Sequence, residues 1–219
     1  MRRLVVQTFL TLDGVMQAPG GPEEDRSGGF AHGGWSVPHW DEAMQEVVGG
    51  AMGKPFDLVL GRKTYQIFAA HWPFDDSPMG DTLNSAAKHV ASRTLNELEW
   101  NNSHLIEDDV PAAVARLKEQ EGPELQVHGS GDLIQTLLAH DLVDELRLLI
   151  FPIVLGQGKR LFADGTVPAA FEVTSSKTST TGVVMATYRR AGEVETGSFA
   201  HEEPAEAELE RRKALARER

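Results

Sequence analysis

Three times along the chain, a short apolar run breaks at small or hydroxyl-bearing residues, and this repetition constrains the fold most. It occurs at LVLGRKT (58–64), at VASRTL (90–95) and at LQVHGSGDLIQTLL (125–138). In the first and last, a strand-like run gives way to helical spacing, with Leu133, Ile134, Leu137 and Leu138 forming one apolar face. Strands that alternate with helices in this way read as an α/β sheet built largely from parallel strands.

The flanking segments agree. Residues 3–12 read as a buried first strand ended by the turn pair Asp13-Gly14. A Gly/Pro-rich loop follows over residues 16–37, and loops of that length in a compact domain are often lids. From His39 the stripe Trp40, Ala43, Met44, Val47, Val48 and Ala51 predicts a helix closed by Pro55. Further strands are expected at 56–61, 88–92 and 103–107. A helix is expected at 111–119 behind Asp109 as N-cap, and a long strand at 143–156. Residues 171–180 and 183–191 resemble a final antiparallel pair joined at Thr181-Gly182. The expected fold is α/β, a mixed, mostly parallel central sheet with helices on both faces and an antiparallel C-terminal edge. It spans residues 1–192. The segment 193–219 is a charged tail, helical or disordered, with Glu and Arg spaced to pair along a solvated face.

Charge and composition narrow the partners. A net charge of −12 argues against nucleic acid, which needs clustered Lys and Arg. The absence of cysteine removes disulfides, thiolate metal sites and a Cys nucleophile. No apolar run approaches the ~20 residues of a membrane span, and the N-terminal run reads as a strand rather than a signal peptide. A cytoplasmic protein with a small-molecule substrate and no bound metal is expected.

Each junction also carries groups suited to anions. Gly61 precedes Arg62, Lys63 and Thr64 at a helix start, where orphan amides and the helix dipole attract phosphate; a plain turn explains the same residues. Gly129, Ser130 and Gly131, followed by Asp132 and Leu133, repeat the design, although Ile134 stands where a dinucleotide fingerprint has its third glycine. A tight strand-to-helix turn is the alternative. Ser92, Arg93 and Thr94 offer a guanidinium fork and two hydroxyls at a third strand end. Together they suit an extended ligand with several phosphates, such as a dinucleotide.

LVLGRKTY, HVASRTL, VHGSGDLIQTLL and VDELRLLIFPIVLGQGKRLF stand in the order found in the dihydrofolate reductase-like superfamily. The chain resembles its riboflavin-biosynthesis reductase branch, the C-terminal domain of the bifunctional deaminase-reductase, in stand-alone form without the deaminase. That resemblance implies a three-layer fold, a homodimer and NADPH as cofactor. Gly61, Arg62, Lys63 and Thr64 would hold the pyrophosphate from one side. Gly129, Ser130, Gly131, Asp132 and Leu133 would hold it from the other, and Ser92, Arg93 and Thr94 would grip the 2′-phosphate. The implied activity is hydride transfer to a small pteridine- or pyrimidine-like ring, similar to 5-amino-6-(5-phosphoribosylamino)uracil reduction. A true dihydrofolate reductase and a non-catalytic nucleotide-binding dimer are the alternatives.

On the substrate side, Asp13 resembles the acid of the family's LDG segment, with Gly14 beside it, and Asp41 and Glu42 lie in the region where dihydrofolate reductases carry a substrate-contacting carboxylate, at a longer spacing to Gly61 than the family's. A turn aspartate and a charged first helical turn explain these acids equally. Trp35, Trp40 and His32 are candidates to stack on a flat ring, with Trp40 assigned instead to anchoring the helix. Gly156 and Gly158 sit near the site in relatives, with Lys159 and Arg160 able to meet an anion; a glycine-rich bend accounts for the same residues.

Overall fold

β1 (Leu4–Thr11) is buried along nearly its whole length, Gln7, Thr8 and Thr11 included, as a central strand must be when helices cover both faces of a parallel sheet. In the computed structural model, which describes residues 1–107, 109–162, 164–199 and 204–217, β1 pairs in parallel with β5 (Glu124–His128) and β6 (Glu145–Phe151). The remaining strands are β2 (Phe56–Gly61), β3 (Lys88–Ala91), β4 (Ser103–Ile106), β7 (Ala170–Thr178) and β8 (Val184–Gly192). The sheet order is β4-β3-β2-β5-β1-β6-β8-β7. Pairing is parallel from β4 through β6, and β8 and β7 add the antiparallel C-terminal edge.

Alternation along the strands fills three layers. Leu58 and Leu60 face Tyr65 of α2 (Arg62–Ala69) and Leu83 of α3 (Pro78–Ser85), and Leu149 and Phe151 meet Met44 and Val48 of α1 (Glu42–Met52). Val59, Leu125 and Val127 face the other way, onto Val114 of α4 (Val110–Glu119) and Ile134 and Leu137 of α5 (Gly131–Ala139). The expected three-layer arrangement, a mostly parallel sheet with helices on both faces and an antiparallel edge, is the one that forms.

Three expectations need correction. The first helix starts at Glu42 rather than His39, because Asp41 accepts the Met44 amide at 2.9 Å and caps it, while Val37–His39 is a separate 3-10 turn. The strand expected over 143–156 ends at Phe151, since Pro152 has no N–H to continue the ladder. α3 was not foreseen; Ser77 caps it with Pro78 in its first turn, but only Gly80 and Leu83 are buried, too little for a visible stripe.

The loop over 16–37 is ordered by its own bonds. Trp35 Nε1 donates to the Gln17 carbonyl at 2.7 Å, and Gln17 Nε2 donates to the carbonyls of Asp25 and Ser27. In the tail, α6 (Glu206–Arg217) has no buried residue, and Glu208 pairs with Arg211 and Arg212. The parts of the expected tail at 200–203 and 218–219 lie outside the described residues. Among the described residues no helix is long and apolar enough to cross a membrane.

Candidate active site

The carboxyl ends of β2, β3 and β5 open into one cleft of about 1370 Å³, larger than the usual ~300–1,000 Å³ of a small-ligand pocket. All three expected groups line it: Gly61, Arg62, Lys63 and Thr64; Ser92, Arg93 and Thr94; and Gly129, Ser130, Gly131, Asp132 and Leu133. Ligands of open α/β sheets collect at such strand ends.

The junctions differ from expectation in what the glycines do. Ser130 adopts a left-handed conformation, φ 58° and ψ 47°, and its side chain points back to the β2 end. Its Oγ accepts the Gly61 amide at 2.9 Å and donates to Thr64 Oγ1 at 2.9 Å, while its amide also donates to Thr64 Oγ1 at 3.0 Å. A Cβ at Gly129 (φ 55°) would stand 3.0 Å from Thr64 Oγ1, and one at Gly61 would stand 3.4 Å from Ser130. These glycines let the two strand ends touch each other. A Cβ at Gly131 would meet Met16 at 3.5 Å and Arg160 at 4.0 Å, ordinary contact distances, so the packing of the two strand ends does not require this glycine.

The donor set suits a polyanion. Neither α2 nor α5 has a side-chain cap, so the amides of both first turns are available. Among the described residues Arg62 reaches only Gln66, at 3.3 Å, and Arg93 is exposed on the rim. Ser92 Oγ accepts the amides of Thr94 and Leu95, which fixes that turn. Lys159 arrives from the opposite rim, paired with Asp25 and 2.8 Å from Ser27 Oγ. Its ammonium lies close enough to Lys63 to lower the Lys63 pKa. Two lysines thus stand near one aspartate, with only Lys159 paired to it, leaving positive charge for a phosphate. The residues present fit a phosphorylated dinucleotide.

Both candidate acids lie elsewhere. Asp13 is absent from the cleft wall; its carboxylate accepts from Thr11 Oγ1 at 2.6 Å and from the Leu155 and Gly156 amides at 3.2 and 2.8 Å. The Thr11 hydroxyl, with those amides, holds its pKa down to about 2, so it cannot carry a proton near neutrality. Asp41 is spent on α1 and on Thr180, whose amide and hydroxyl it accepts at 2.8 and 2.7 Å; these bonds lower its pKa. Gly14 turns the chain with φ 78°, its carbonyl accepting from Leu161 N, and takes no part in the wall.

The tryptophans exchange roles. Trp35 is 7% exposed and packs edge-on against Phe151, so it is core. Trp40, left outside the helix by the later start, is 40% exposed and lines the cleft. Gly158 is a packing position, since a Cβ there would lie 2.6 Å from Val15 and 3.0 Å from Phe30. His32 rests on Phe30, away from the cleft wall.

Sequence reading missed several polar residues in the cleft, Glu24, Gln7 and His128 among them. Glu24 accepts the amides of Gly20 and Gly21, and burial raises its pKa. Gln7 and His128 form part of the floor. Glu24 sat inside an apparently featureless loop, and the pairing of Gln7 with His128 depends on strand register, so no local signal marked them.

Residues 2–185 match the family described as the RibD C-terminal domain. The chain is 29% identical over 197 residues to the uncharacterized protein YyaP of Bacillus subtilis, covering 87% of this chain and 96% of that one. Among solved structures, a Shewanella sp. PV-4 protein whose name links it to riboflavin biosynthesis superposes with a TM-score of 0.66 at 24% identity, covering 86% of this chain and 99% of the other. Enterococcus faecalis dihydrofolate reductase, solved with NADP(H), superposes with a TM-score of 0.53 at 16% identity, covering 86% and 96%.

Proposed function

Because the chain belongs to the RibD C-terminal domain family, we propose that it is an NADPH-dependent reductase of a small pteridine- or pyrimidine-like ring. The observation that carries this reading is the convergence of three anion-friendly strand ends on one cleft whose remaining lining includes the aromatic side chains Phe9, Trp40, Phe68 and Trp72. NADPH would supply a hydride to an electrophilic ring carbon.

The chain's own contributions are positioning, water exclusion and proton supply. The open amides of α2 and α5, with Lys63 and Lys159, would hold the pyrophosphate, and Arg93 with Thr94 the 2′-phosphate. Phe68, Trp72 and Trp40 would press on a flat ring and keep water off it. Glu24 would deliver the proton, since it lines the cleft and burial keeps its carboxyl protonated to higher pH than usual.

The engagement of Asp13 and Asp41 in structural bonds favours a second reading, a nucleotide-binding protein without turnover. Two measurements separate them. Fluorescence titration should show NADPH binding more tightly than NADH, and cofactor oxidation should follow addition of a pyrimidine or pteridine substrate. Binding without oxidation across such a panel supports the second reading. No binding of either cofactor refutes both.

A further inference from the structure

The cleft floor contains a polar pair that the phosphate-binding groups leave unused. Gln7 on β1 and His128 at the end of β5 are register partners on adjacent parallel strands, which lie ~4.8 Å apart, and both line the cleft. The walls around them are apolar: Phe9, Trp40, Met52, Phe68 and Trp72. Gln7 is 5% exposed; its Oε1 is sealed from solvent, while its Nε2 is not sealed and has no hydrogen-bond partner among the described residues. Buried amides are nearly always hydrogen-bonded, so the open Nε2 donor points to an acceptor brought from outside the chain.

A chain of bonds from the sheet interior sets the state of His128. Arg147 donates to both oxygens of Glu124, at 2.7 and 2.9 Å. Glu124, as a carboxylate, only accepts, so Gln126 turns its Nε2 toward it at 2.9 Å. Gln126 Oε1 is thereby left facing His128 Nε2 at 3.0 Å, which must donate. The ring proton sits on Nε2 and a lone pair on Nδ1. Nδ1 has no partner among the described residues and is not among the atoms sealed from solvent. Burial, aided by the Arg147 charge, pulls the His128 pKa down to about 4, so the ring stays neutral near pH 7.

We propose that Gln7 and His128 read the lactam edge of the ring substrate, His128 Nδ1 accepting from a ring N–H and the Gln7 amide donating to the adjacent carbonyl. This rests on the reductase reading and narrows it to a flat, neutral heterocycle with N–H beside C=O. Two neighbouring side chains, one an acceptor and one an amide, match a donor and acceptor side by side. Glu124, Gln126 and Arg147 are positioning residues that act through His128 by fixing its tautomer. The opposite tautomer would present a donor at Nδ1 and reject the same edge.

The test uses the full chain and lumazine, a fluorescent pteridine whose donors are its two lactam N–H groups, against 1,3-dimethyllumazine, which has neither. Wild type should bind lumazine at least about tenfold more tightly. His128→Leu should collapse that ratio toward one, while Gln7→Met should weaken both pteridines by about tenfold and leave the ratio standing, because both keep the carbonyl. In the wild-type chain, ¹⁵N NMR should place the His128 proton on Nε2, and Glu124→Gln should mix the tautomers and weaken lumazine binding. Equal affinity for the two pteridines, a ratio that survives His128→Leu, undiminished affinity in Gln7→Met, or a proton on Nδ1 overturns the proposal. NADPH titration is kept as a separate arm. Failure there with intact edge discrimination sinks the reductase reading alone, and NADPH binding without discrimination sinks this inference alone.

Discussion

Thr64→Val tests whether the two phosphate-facing strand ends are held together by the contact seen between them. Thr64 is buried, and its Oγ1 accepts both the Ser130 amide at 3.0 Å and the Ser130 hydroxyl at 2.9 Å. Valine keeps the shape and removes the acceptor. Losing two hydrogen bonds costs about 1 kcal/mol each, and leaving the Ser130 amide without a partner adds about 1 kcal/mol or more. The expected destabilisation is therefore about 2–4 kcal/mol, or roughly 5–15 °C in Tm for a chain of this size. Urea denaturation should show a lowered midpoint with an unchanged slope, because the surface exposed on unfolding does not change. Thr64→Ser, which keeps the oxygen, should remain near wild type. NADPH affinity should also fall in Thr64→Val, by about tenfold or more under conditions where the variant is fully folded, since the amides of α2 and α5 lose their fixed spacing. Unchanged stability would show that the hydroxyl bridge does not hold the junctions. Unchanged NADPH affinity in a destabilised variant would separate the bridge from the binding site.

Arg93→Ala should weaken NADPH binding by about 1.5–3 kcal/mol, roughly 10- to 100-fold, and leave NADH binding unchanged; equal loss for both cofactors would remove the 2′-phosphate role. Glu24→Gln should lower kcat by about 100-fold with NADPH affinity intact, and an unaltered kcat would assign the proton to solvent. Asp13 has a folded pKa of about 2, below its ordinary 3.8, so its contribution to stability is full above that value and is lost as pH falls toward 2. Asp13→Asn should therefore flatten the acid limb of the stability curve between about pH 4 and 2 and leave the pH–rate profile near neutrality unmoved. A large fall in kcat at unchanged stability would return Asp13 to the chemistry. Ile134→Gly, which completes a three-glycine fingerprint on paper, should destabilise by about 3–6 kcal/mol and bring no gain in NADPH affinity. Tighter binding in that variant would contradict the packing described here.

What the sequence revealed is what is written locally. Gly61, Gly129 and the hydroxyl and cationic residues after them advertise strand ends and uncapped helix starts within a few positions, and all of them line one cleft. Residues recruited from far away carry no such mark. Asp13 resembles a turn acid, but its role is set by the Gly156 amide 143 positions later. Trp35 and Trp40 exchange core and cleft because the helix starts two residues after Trp40, and a stripe read from periodicity does not resolve its own first turn. The Glu124–Gln126–His128 chain lies within one strand, yet its meaning comes from Arg147 and Gln7 on two other strands.

The missing third glycine marks the physical difference between this cleft and a Rossmann crossover. In that fingerprint the last glycine brings the helix close to its strand. Here Ile134 is fully buried among Leu125, Val127 and Leu137, so α5 stands off the sheet by a branched side chain and gains its apolar contacts instead. The close approach has moved to the strand ends, where Gly61 faces Ser130 and Gly129 faces Thr64. A helix held further from the sheet still offers its amides to a phosphate, provided its first turn is fixed from the side. The Thr64–Ser130 bridge fixes it there, and the backbone therefore needs its two small residues at the rim rather than one inside the helix.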